Sequence, residues 1–276
     1  RGGYEYKINQ IIGFSHIHSW TMGGLLTMPV TGPLKIKPGE ENEPDSGYRS
    51  RINHKNEKAS LSYYSVLLDD YNIKAELTST TRTGFQRYTF PKSDSSRILF
   101  DLENGSEYPY EVRWASISKV SDYEIEGFST QSSYDEPTNL LNDYTVYFVA
   151  RVDKPMKSFG TWVNGYVDTT SSICWGRHDI GAFMNFDTEE GEIIQLKTAI
   201  SYVSIEQARK NLEVESGGFG WNFDAVRKYA VNEWRKILST IEIEGGTEED
   251  KRKFYTNLYR SYCSRTIFSD VDGQYV

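Results

Sequence analysis

Residues 60–90, SLSYYSVLLDDYNIKAELTSTTRTGFQRYTF, contain three strand-like runs, at 62–68, 72–80 and 84–90. The residues DDYN separate the first two runs, and Asp and Asn favour turns because they bond to nearby backbone. In the middle run apolar and polar residues alternate: Ile73, Lys74, Ala75, Glu76, Leu77 and Thr78. Successive side chains of a strand point to opposite faces, so this alternation gives one solvated and one buried face. The stretch predicts antiparallel β-structure packed against a core.

The same strand-and-turn character continues to about residue 203. Further strand-like runs lie at 97–102, 111–118, 124–130, 144–152, 181–186 and 192–203. About ten strands at this spacing predict a mainly β fold, a large antiparallel β-sandwich. Two polar stretches, 35–60 and 129–139, predict long loops.

After residue 203 the apolar period changes from that of a strand to that of a helix. Ser204, with Gln207 three residues later, forms a capping-box pattern, and GGFG at 217–220 predicts a break. A stripe typical of an amphipathic helix follows: Phe223, Val226, Ala230, Trp234, Ile237 and Ile241. Thr247 with Asp250 predicts the cap of a third helix. We therefore expect three units: a sandwich at 1–203 whose first strands precede residue 1, linker helices at 204–246, and the start of a helical domain at 247–276.

Charge and composition exclude several classes of function. The net charge of -8 and the pI of about 5.2 argue against nucleic acid or an anionic membrane as a partner. No apolar run approaches the roughly 20 residues that span a bilayer. The two cysteines, Cys174 and Cys263, form no C-x-x-C pair, so neither a zinc ribbon nor a redox motif is available. The chain opens on Arg1 rather than Met, so we expect its start to be cut, which removes any direct evidence on targeting.

The run IIGFSHIHSW, residues 11–20, is the strongest candidate for a binding site. Gly13 allows a bulge or a close approach of backbone. His16, His18 and Trp20 recur with period two, so they point to the same side of an extended chain. Three interpretations stay open: a metal-binding histidine pair, structural histidines, or a sugar-binding face on which the indole stacks. We favour the ligand-contacting face, because a metal needs further ligands that nothing places nearby.

Two other patterns are weaker. SDVDGQY, residues 269–275, begins like a calcium loop, but a plain turn explains the same letters. Aspartates are abundant, yet most of them fall in turns, and spacing along the chain cannot reveal the paired carboxylates of a glycosidase. We therefore predict no catalytic residue and no metal ligand from these patterns.

Several stretches, taken in order, resemble glycoside hydrolase family 92. They are GGYEY, IIGFSHIH, TMPVTGPL, the long run from NHKNEKASLSYYSVLLDDYNIKAEL to TRTGFQRYTFP, and FYTNLYRSYCSRTIFSDVDGQY. The resemblance implies an N-terminal β-sandwich, linker helices and an (α/α)6 barrel. It also implies an exo-acting, inverting and calcium-dependent α-mannosidase, exported to the periplasm, the cell surface or the medium.

The resemblance also implies where the functional residues lie. The sandwich would contribute a substrate-binding loop to an active-site pocket at the interface between the two domains. The residues of this loop are Gly13, Phe14, Ser15 and His16, with His18 and Trp20 following. The general acid (a Glu), the base (an Asp) and the Ca²⁺ ligands would lie in the barrel beyond Val276, so this chain alone is expected to be inactive. Its partners would be a mannose-containing glycan and the C-terminal helical domain. The alternative is a free-standing, lectin-like sandwich.

Overall fold

The computed structural model describes residues 6–15, 17, 25–103, 110–135, 140–263 and 267–276, with backbone alone at 110, 133–135 and 140–142. The strands within these ranges are Gln10–Ile11 (β1), Leu26–Val30 (β2), Ser50–Arg51 (β3), Lys58–Ser60 (β4), Tyr63–Leu68 (β5), Ile73–Ser79 (β6), Thr83–Phe90 (β7), Ser93–Asp101 (β8), Tyr110–Ser121 (β9), Glu124–Asp135 (β10), Leu140–Val152 (β11), Ser158–Val163 (β12), Tyr166–Asp168 (β13), Ile173–Gly176 (β14), Ile180–Thr188 (β15) and Glu192–Ser201 (β16). The helices are Ile205–Ser216 (α1), Phe223–Leu238 (α2) and Glu248–Cys263 (α3), with short 3-10 turns at Pro44–Ser46 and His54–Asn56.

The strands form two packed antiparallel sheets. The larger sheet has nine strands in the order β14-β9-β10-β11-β16-β7-β6-β5-β4, and the smaller has five in the order β13-β12-β15-β8-β2. Strands β1 and β3 pair separately. The predicted β-sandwich is therefore confirmed.

The core lies between the two sheets. Large buried side chains come from both layers, among them Tyr88 and Phe90 from the larger sheet and Phe100, Trp162 and Phe183 from the smaller. Strand β7 shows the period-two pattern: Tyr88 and Phe90 enter this core, whereas Phe85 lies on the opposite face of the sheet beside α2.

The first two helices pack on the outer face of the larger sheet. Helix α1 buries Ala208 and Leu212 against Val149 and Ala199 of strands β11 and β16. Ser204 caps this helix by accepting a hydrogen bond from the Gln207 N–H, as predicted.

Helix α2 is buried only in its first half, where Phe223 and Val226 pack beside Phe85 of β7. Helix α3 is capped by a reciprocal pair between Thr247 and Asp250, and none of its described residues is buried. The sandwich thus supplies the packing surface for α1 and for half of α2, but not for α3.

Among the described residues, no helix is both long and apolar enough to cross a membrane. Cys174 is half-buried and Cys263 is exposed, and neither forms a disulfide.

Candidate functional site

The loop that precedes β2 is held against that strand by close backbone contact. Phe14 N–H donates to the Thr27 carbonyl at 2.8 Å, and Thr27 N–H donates to the Phe14 carbonyl at 2.9 Å. Gly13 makes this approach possible: a Cβ at that position would lie 2.6 Å from Cγ of Leu26 and 2.9 Å from the Thr27 carbonyl oxygen. Its φ of 154° is also one that side-chain-bearing residues rarely adopt. The predicted close approach of backbone at Gly13 is thereby confirmed.

A buried polar cluster lies beneath the loop and joins the two sheets. The Thr27 hydroxyl lies 2.8 Å from Oε1 of Gln86 and 3.0 Å from the Phe14 carbonyl oxygen. The Tyr88 hydroxyl also bonds Gln86, and burial raises the pKa of Tyr88 far above its ordinary value. Tyr88 therefore remains a hydrogen-bond donor at any physiological pH, which keeps the base of the loop fixed.

Apart from Gly13, described above, the predicted site residues separate into three groups. Phe14 is only 5% exposed and packs beside Tyr88 with ring centroids 6.4 Å apart, so its side chain anchors the loop. Ser15 is exposed, and its Oγ accepts a hydrogen bond from the Ile17 N–H at 3.1 Å. The other ring-bearing residues of the prediction, His16, His18 and Trp20, lie outside the described residues.

A cleft opens beside this loop at the end of the sandwich. It has a volume of about 90 Å³ and is bounded by the loop, the β6–β7 turn and the end of β16. Hydroxyl groups dominate its polar lining: Ser79, Thr80, Thr81, Thr83 and Thr198. The buried hydroxyls of Thr83 and Thr198 have no hydrogen-bond partner among the described residues. Because buried polar groups are normally paired, the cleft offers two hydroxyls to a polar ligand.

The β6–β7 turn is fixed by a carboxylate of α1. Glu215 accepts hydrogen bonds from the Thr80 hydroxyl at 2.5 Å, from the Arg82 N–H at 2.8 Å and from the Arg82 guanidinium at 2.7 Å. Arg82 Nε also donates to the Ser269 carbonyl at 2.6 Å. One side of the cleft is therefore tied both to the first helix and to the C-terminal segment.

The C-terminal DVDG segment is a turn that docks on α1 and β16. Asp270 is buried and accepts hydrogen bonds from the Ser201 hydroxyl at 2.8 Å and from the Asn211 amide at 2.6 Å. Asp272 pairs with Lys210 at 2.7 Å, and hydrogen bonding to this ammonium lowers the pKa of Asp272 to about 2. In this structure the segment forms a turn whose two carboxylates are engaged in protein contacts. Within the described part of the chain, no group of three or more His, Cys, Asp or Glu residues could hold a metal ion.

An aromatic groove lies on the other side of the β6–β7 turn. It runs between this turn and the C-terminal half of α2, and it has a volume of about 650 Å³. Its large side chains come from α2, α3 and the segment after them: Tyr229, Trp234, Ile237, Tyr259, Tyr262 and Ile267. The apolar stripe predicted for α2 thus continues beyond the surface that the sandwich covers.

Sequence patterns did not point to Arg82, Glu215 or Asn211, and they singled out Asp270 only as part of a calcium-loop pattern. Arg82 and Glu215 are 133 positions apart, and Ser201 and Asp270 are 69 apart. Only the fold brings these partners together.

The known families that match the chain divide it between the β-sandwich and the helices that follow. Residues 1–201 match the glycosyl hydrolase family 92 N-terminal domain, and residues 207–276 match the glycosyl hydrolase family 92 catalytic domain. The structure superimposes on a family GH92 alpha-mannosidase from Bacteroides thetaiotaomicron, solved in complex with mannoimidazole, with a TM-score of 0.88 and 33% identity. That superposition covers 99% of this chain and 36% of the mannosidase.

Two further proteins share the similarity at lower identity. A family GH92 inverting mannosidase from the same organism superimposes with a TM-score of 0.76 and 24% identity, over 98% of this chain and 35% of that one, which shows a common fold. An uncharacterized secreted glycosidase from Arthroderma benhamiae is 23% identical over 293 residues, covering 95% of this chain and 36% of that protein.

A β-sandwich that leads into helices, matched along its length by glycosyl hydrolase domains, places the protein in the glycosyl hydrolase class. Within that class the chain belongs to glycosyl hydrolase family 92, because the family's N-terminal domain accounts for residues 1–201 and its catalytic domain begins in the helices. The chain spans about a third of the length of the relatives it matches, 36% in the first structure and 36% in the curated glycosidase.

Proposed function

We propose that this chain is the N-terminal part of an exo-acting, inverting α-mannosidase that removes terminal mannose from glycans. Family membership supports this, as does the 33% identity to an alpha-mannosidase over 99% of the chain. The observation that carries the proposal is the segment at residues 13–15, held to β2 by two backbone hydrogen bonds at Phe14 and lying beside a hydroxyl-lined cleft. A fixed polar cleft suits a sugar, whose hydroxyls need hydrogen-bonding partners held in place.

In this proposal each residue of the loop has a distinct part. Gly13 and Phe14 position the loop, the first by permitting close backbone contact and the second by its buried ring. Ser15 offers an exposed hydroxyl. The remaining predicted residues supply imidazole nitrogens for sugar hydroxyls and an indole face for the ring: His16, His18 and Trp20.

We place the general acid and the general base outside this chain. An inverting glycosidase needs two carboxyl groups roughly 6.5–9.5 Å apart, with the attacking water between one of them and the sugar. The carboxylates beside the cleft are already used in structural contacts, Glu215 with Arg82 and Asp270 with Ser201 and Asn211. The chain on its own is therefore expected to bind sugar weakly and to hydrolyse nothing.

A helical catalytic domain of the same protein is the partner that we propose for the aromatic groove. Residues 1–203 would then be the sandwich, 204–246 the linker helices and 247–276 the start of that domain. The apolar side chains along α2 and α3 need a covering surface, which a helical body would supply. We assign Ca²⁺ binding to that domain as well, because the described residues do not form a suitable ligand set.

We propose that the protein is exported from the cytoplasm, since the proposed substrates are glycans and one relative is named a secreted glycosidase. A free-standing lectin-like sandwich is the competing function. The largely uncovered α3 argues against it, because a self-contained module has no use for an apolar stripe without a partner.

The test compares this chain with a longer protein in which the helical domain follows it. Both are assayed for hydrolysis of an aryl α-mannoside, with and without a calcium chelator. We expect hydrolysis only by the longer protein, lost on chelation. Hydrolysis by the 276-residue chain alone would overturn our placement of the acid and base. Tight mannose binding by the chain alone would favour the lectin.

A further inference from the structure

The outer face of the larger sheet carries a pair of exposed tryptophans near its β14 edge. Trp114 of β9 is 39% exposed, and Trp175 of β14 is 61% exposed. Their ring centroids are 5.4 Å apart, with the planes inclined at 33°. Ile173, two residues before Trp175 on the same strand face, is 49% exposed and extends the apolar surface. We call Ile173, Trp114 and Trp175 the indole platform.

The backbone places these rings rigidly. Trp175 pairs with Ser116 across the β14–β9 ladder, so Trp114, two residues from Ser116, is its diagonal neighbour on the same face. The Ser116 hydroxyl donates to the Cys174 carbonyl at 3.1 Å, which ties the edge strand to its neighbour. The paired backbone therefore sets the two rings side by side, and because an indole has only two side-chain torsions, little ordering entropy would be lost on binding.

A β-bulge directs Trp114 outward. In the β9–β10 ladder Thr130 pairs with Trp114, whereas the next residue, Gln131, pairs with Val112, so Arg113 is an extra residue. Val112 and Ala115 both face the core, and the two residues between them face solvent. Without the bulge, Trp114 would follow Val112 into the core. Bulges often serve to re-aim a side chain, and here the side chain presented to solvent is a large aromatic one.

We infer that the indole platform binds the flat faces of sugar rings in a neutral oligosaccharide. Indole faces stack well against ring C–H groups, and Trp carries a polar edge that tolerates a wet surface. Two ion pairs flank the platform: Glu126 pairs with Arg209, and Lys119 pairs with Asp122 at 2.7 Å. Arg113, next to Trp114, forms no ion pair among the described residues and donates only a long hydrogen bond, 3.5 Å, to the Ser132 hydroxyl. Exposed rings on a chain of net charge -8 match an uncharged glycan better than a nucleic acid.

The size of the platform also favours a sugar over a protein partner. The exposed fractions of the two tryptophans together equal about one whole side chain, roughly 250 Å², and the exposed half of Ile173 adds less than half as much again. A stable protein–protein contact needs roughly 800 Å² on each partner, several times more. Stacked sugar rings can cover the smaller area.

The choice of mannan as the first ligand rests on the proposed function, but the test measures binding directly and without hydrolysis. Migration of the chain is followed in native gels containing soluble neutral mannan, with xylan and a β-glucan as alternative ligands. The variants are Trp175→Ala and Trp114→Ala. The matched control is Tyr166→Ala, which removes a 74% exposed aromatic residue from the other sheet.

We expect a polysaccharide to retard the parent chain and Tyr166→Ala equally, and we expect each tryptophan variant to bind roughly tenfold more weakly. Circular dichroism and thermal midpoints establish that the variants fold. If Trp114→Ala does not fold, the more exposed Trp175→Ala decides the matter. Unchanged binding by Trp175→Ala refutes the inference, and so does the absence of retardation by any of the three polysaccharides. Sedimentation that reveals self-association lost in the tryptophan variants, without polysaccharide binding, also refutes it. An inactive longer protein would refute the proposed function without touching this result.

Discussion

Replacing Gly13 with alanine should destabilise the protein and release the loop that precedes β2. The new Cβ would lie 2.6 Å from Cγ of Leu26, 2.8 Å from its Cδ2 and 2.9 Å from the Thr27 carbonyl oxygen. Overpacking of this kind costs about 1–3 kcal/mol. The unfavourable φ of 154° adds about 1 kcal/mol. We therefore expect the free energy of unfolding to fall by about 2–4 kcal/mol.

Gly191→Ala is the matched control for this variant. Gly191 has a φ of 74°, and a Cβ there would meet nothing within 4 Å, so this change isolates the backbone cost. Urea unfolding should give a loss of about 1 kcal/mol for the control. The difference between the two variants measures the contact with β2.

Hydrogen exchange provides a second readout of the same claim. The Phe14 and Thr27 amides are protected by their mutual hydrogen bonds of 2.8 and 2.9 Å. In Gly13→Ala these two amides should exchange faster, relative to amides of β15, than they do in the parent protein. Equal losses of stability in the two glycine variants, with unchanged exchange at Phe14 and Thr27, would show that the loop is not held as described.

Three further outcomes follow from buried charges. Burial opposes ionisation of Glu76, yet hydrogen bonds from Arg87, Tyr63 and Lys74 lower its pKa to about 2. The ionised carboxylate therefore stabilises the folded protein fully above the ordinary pKa of 4.5, and this contribution is lost as the pH falls towards 2. Glu76→Gln should remove about 2 kcal/mol at pH 7 and flatten acid unfolding over that window; an unchanged acid profile would contradict this. Burial, with a smaller effect of Arg151, lowers the pKa of Lys197 to about 8. Because the unfolded chain keeps this proton up to the ordinary pKa of 10.5, the free energy of unfolding should rise between pH 8 and pH 10.5. Urea titrations of Lys197→Met should not show this rise. Asp270→Ala leaves one donor each on Ser201 and Asn211 unpaired and should lower the free energy of unfolding by about 2–4 kcal/mol. Proteolysis after α3 should be faster in this variant, and a rate equal to that of the parent protein would argue against the anchoring role of Asp270.

Strand patterning was sufficient for the sandwich because its central strands obey the period-two rule. The runs predicted at 62–68, 72–80 and 84–90 are strands β5, β6 and β7, with ends shifted by a few residues. The stretch 129–139 was wrongly predicted as a loop, because much of it belongs to the β10–β11 hairpin. Polar residues such as Ser129 and Ser132 are strand residues there because both neighbouring strands pair with them. Strand β14, the edge that carries Trp175, gave too short a pattern to predict.

The candidate site was predictable only in its local parts. A glycine between apolar residues indicated the close approach at Gly13, and the structure has that contact. The burial of Phe14 depends on Tyr88, and the fixed turn at Arg82 depends on Glu215, far along the chain. No spacing rule encodes such pairs, because they form only when the sheets and α1 are assembled. The roles of His16, His18 and Trp20 stay predictions.

The most direct measurement of the central claim is the kinetics of a His16→Ala variant in the longer protein that carries the helical domain. If the loop contacts the sugar, kcat/KM for an aryl α-mannoside should fall roughly ten- to hundredfold, the loss expected when a hydrogen bond to the substrate is removed. The thermal midpoint should match that of the parent. An unchanged kcat/KM in a folded His16→Ala protein would contradict a sugar-contacting loop at the end of the sandwich.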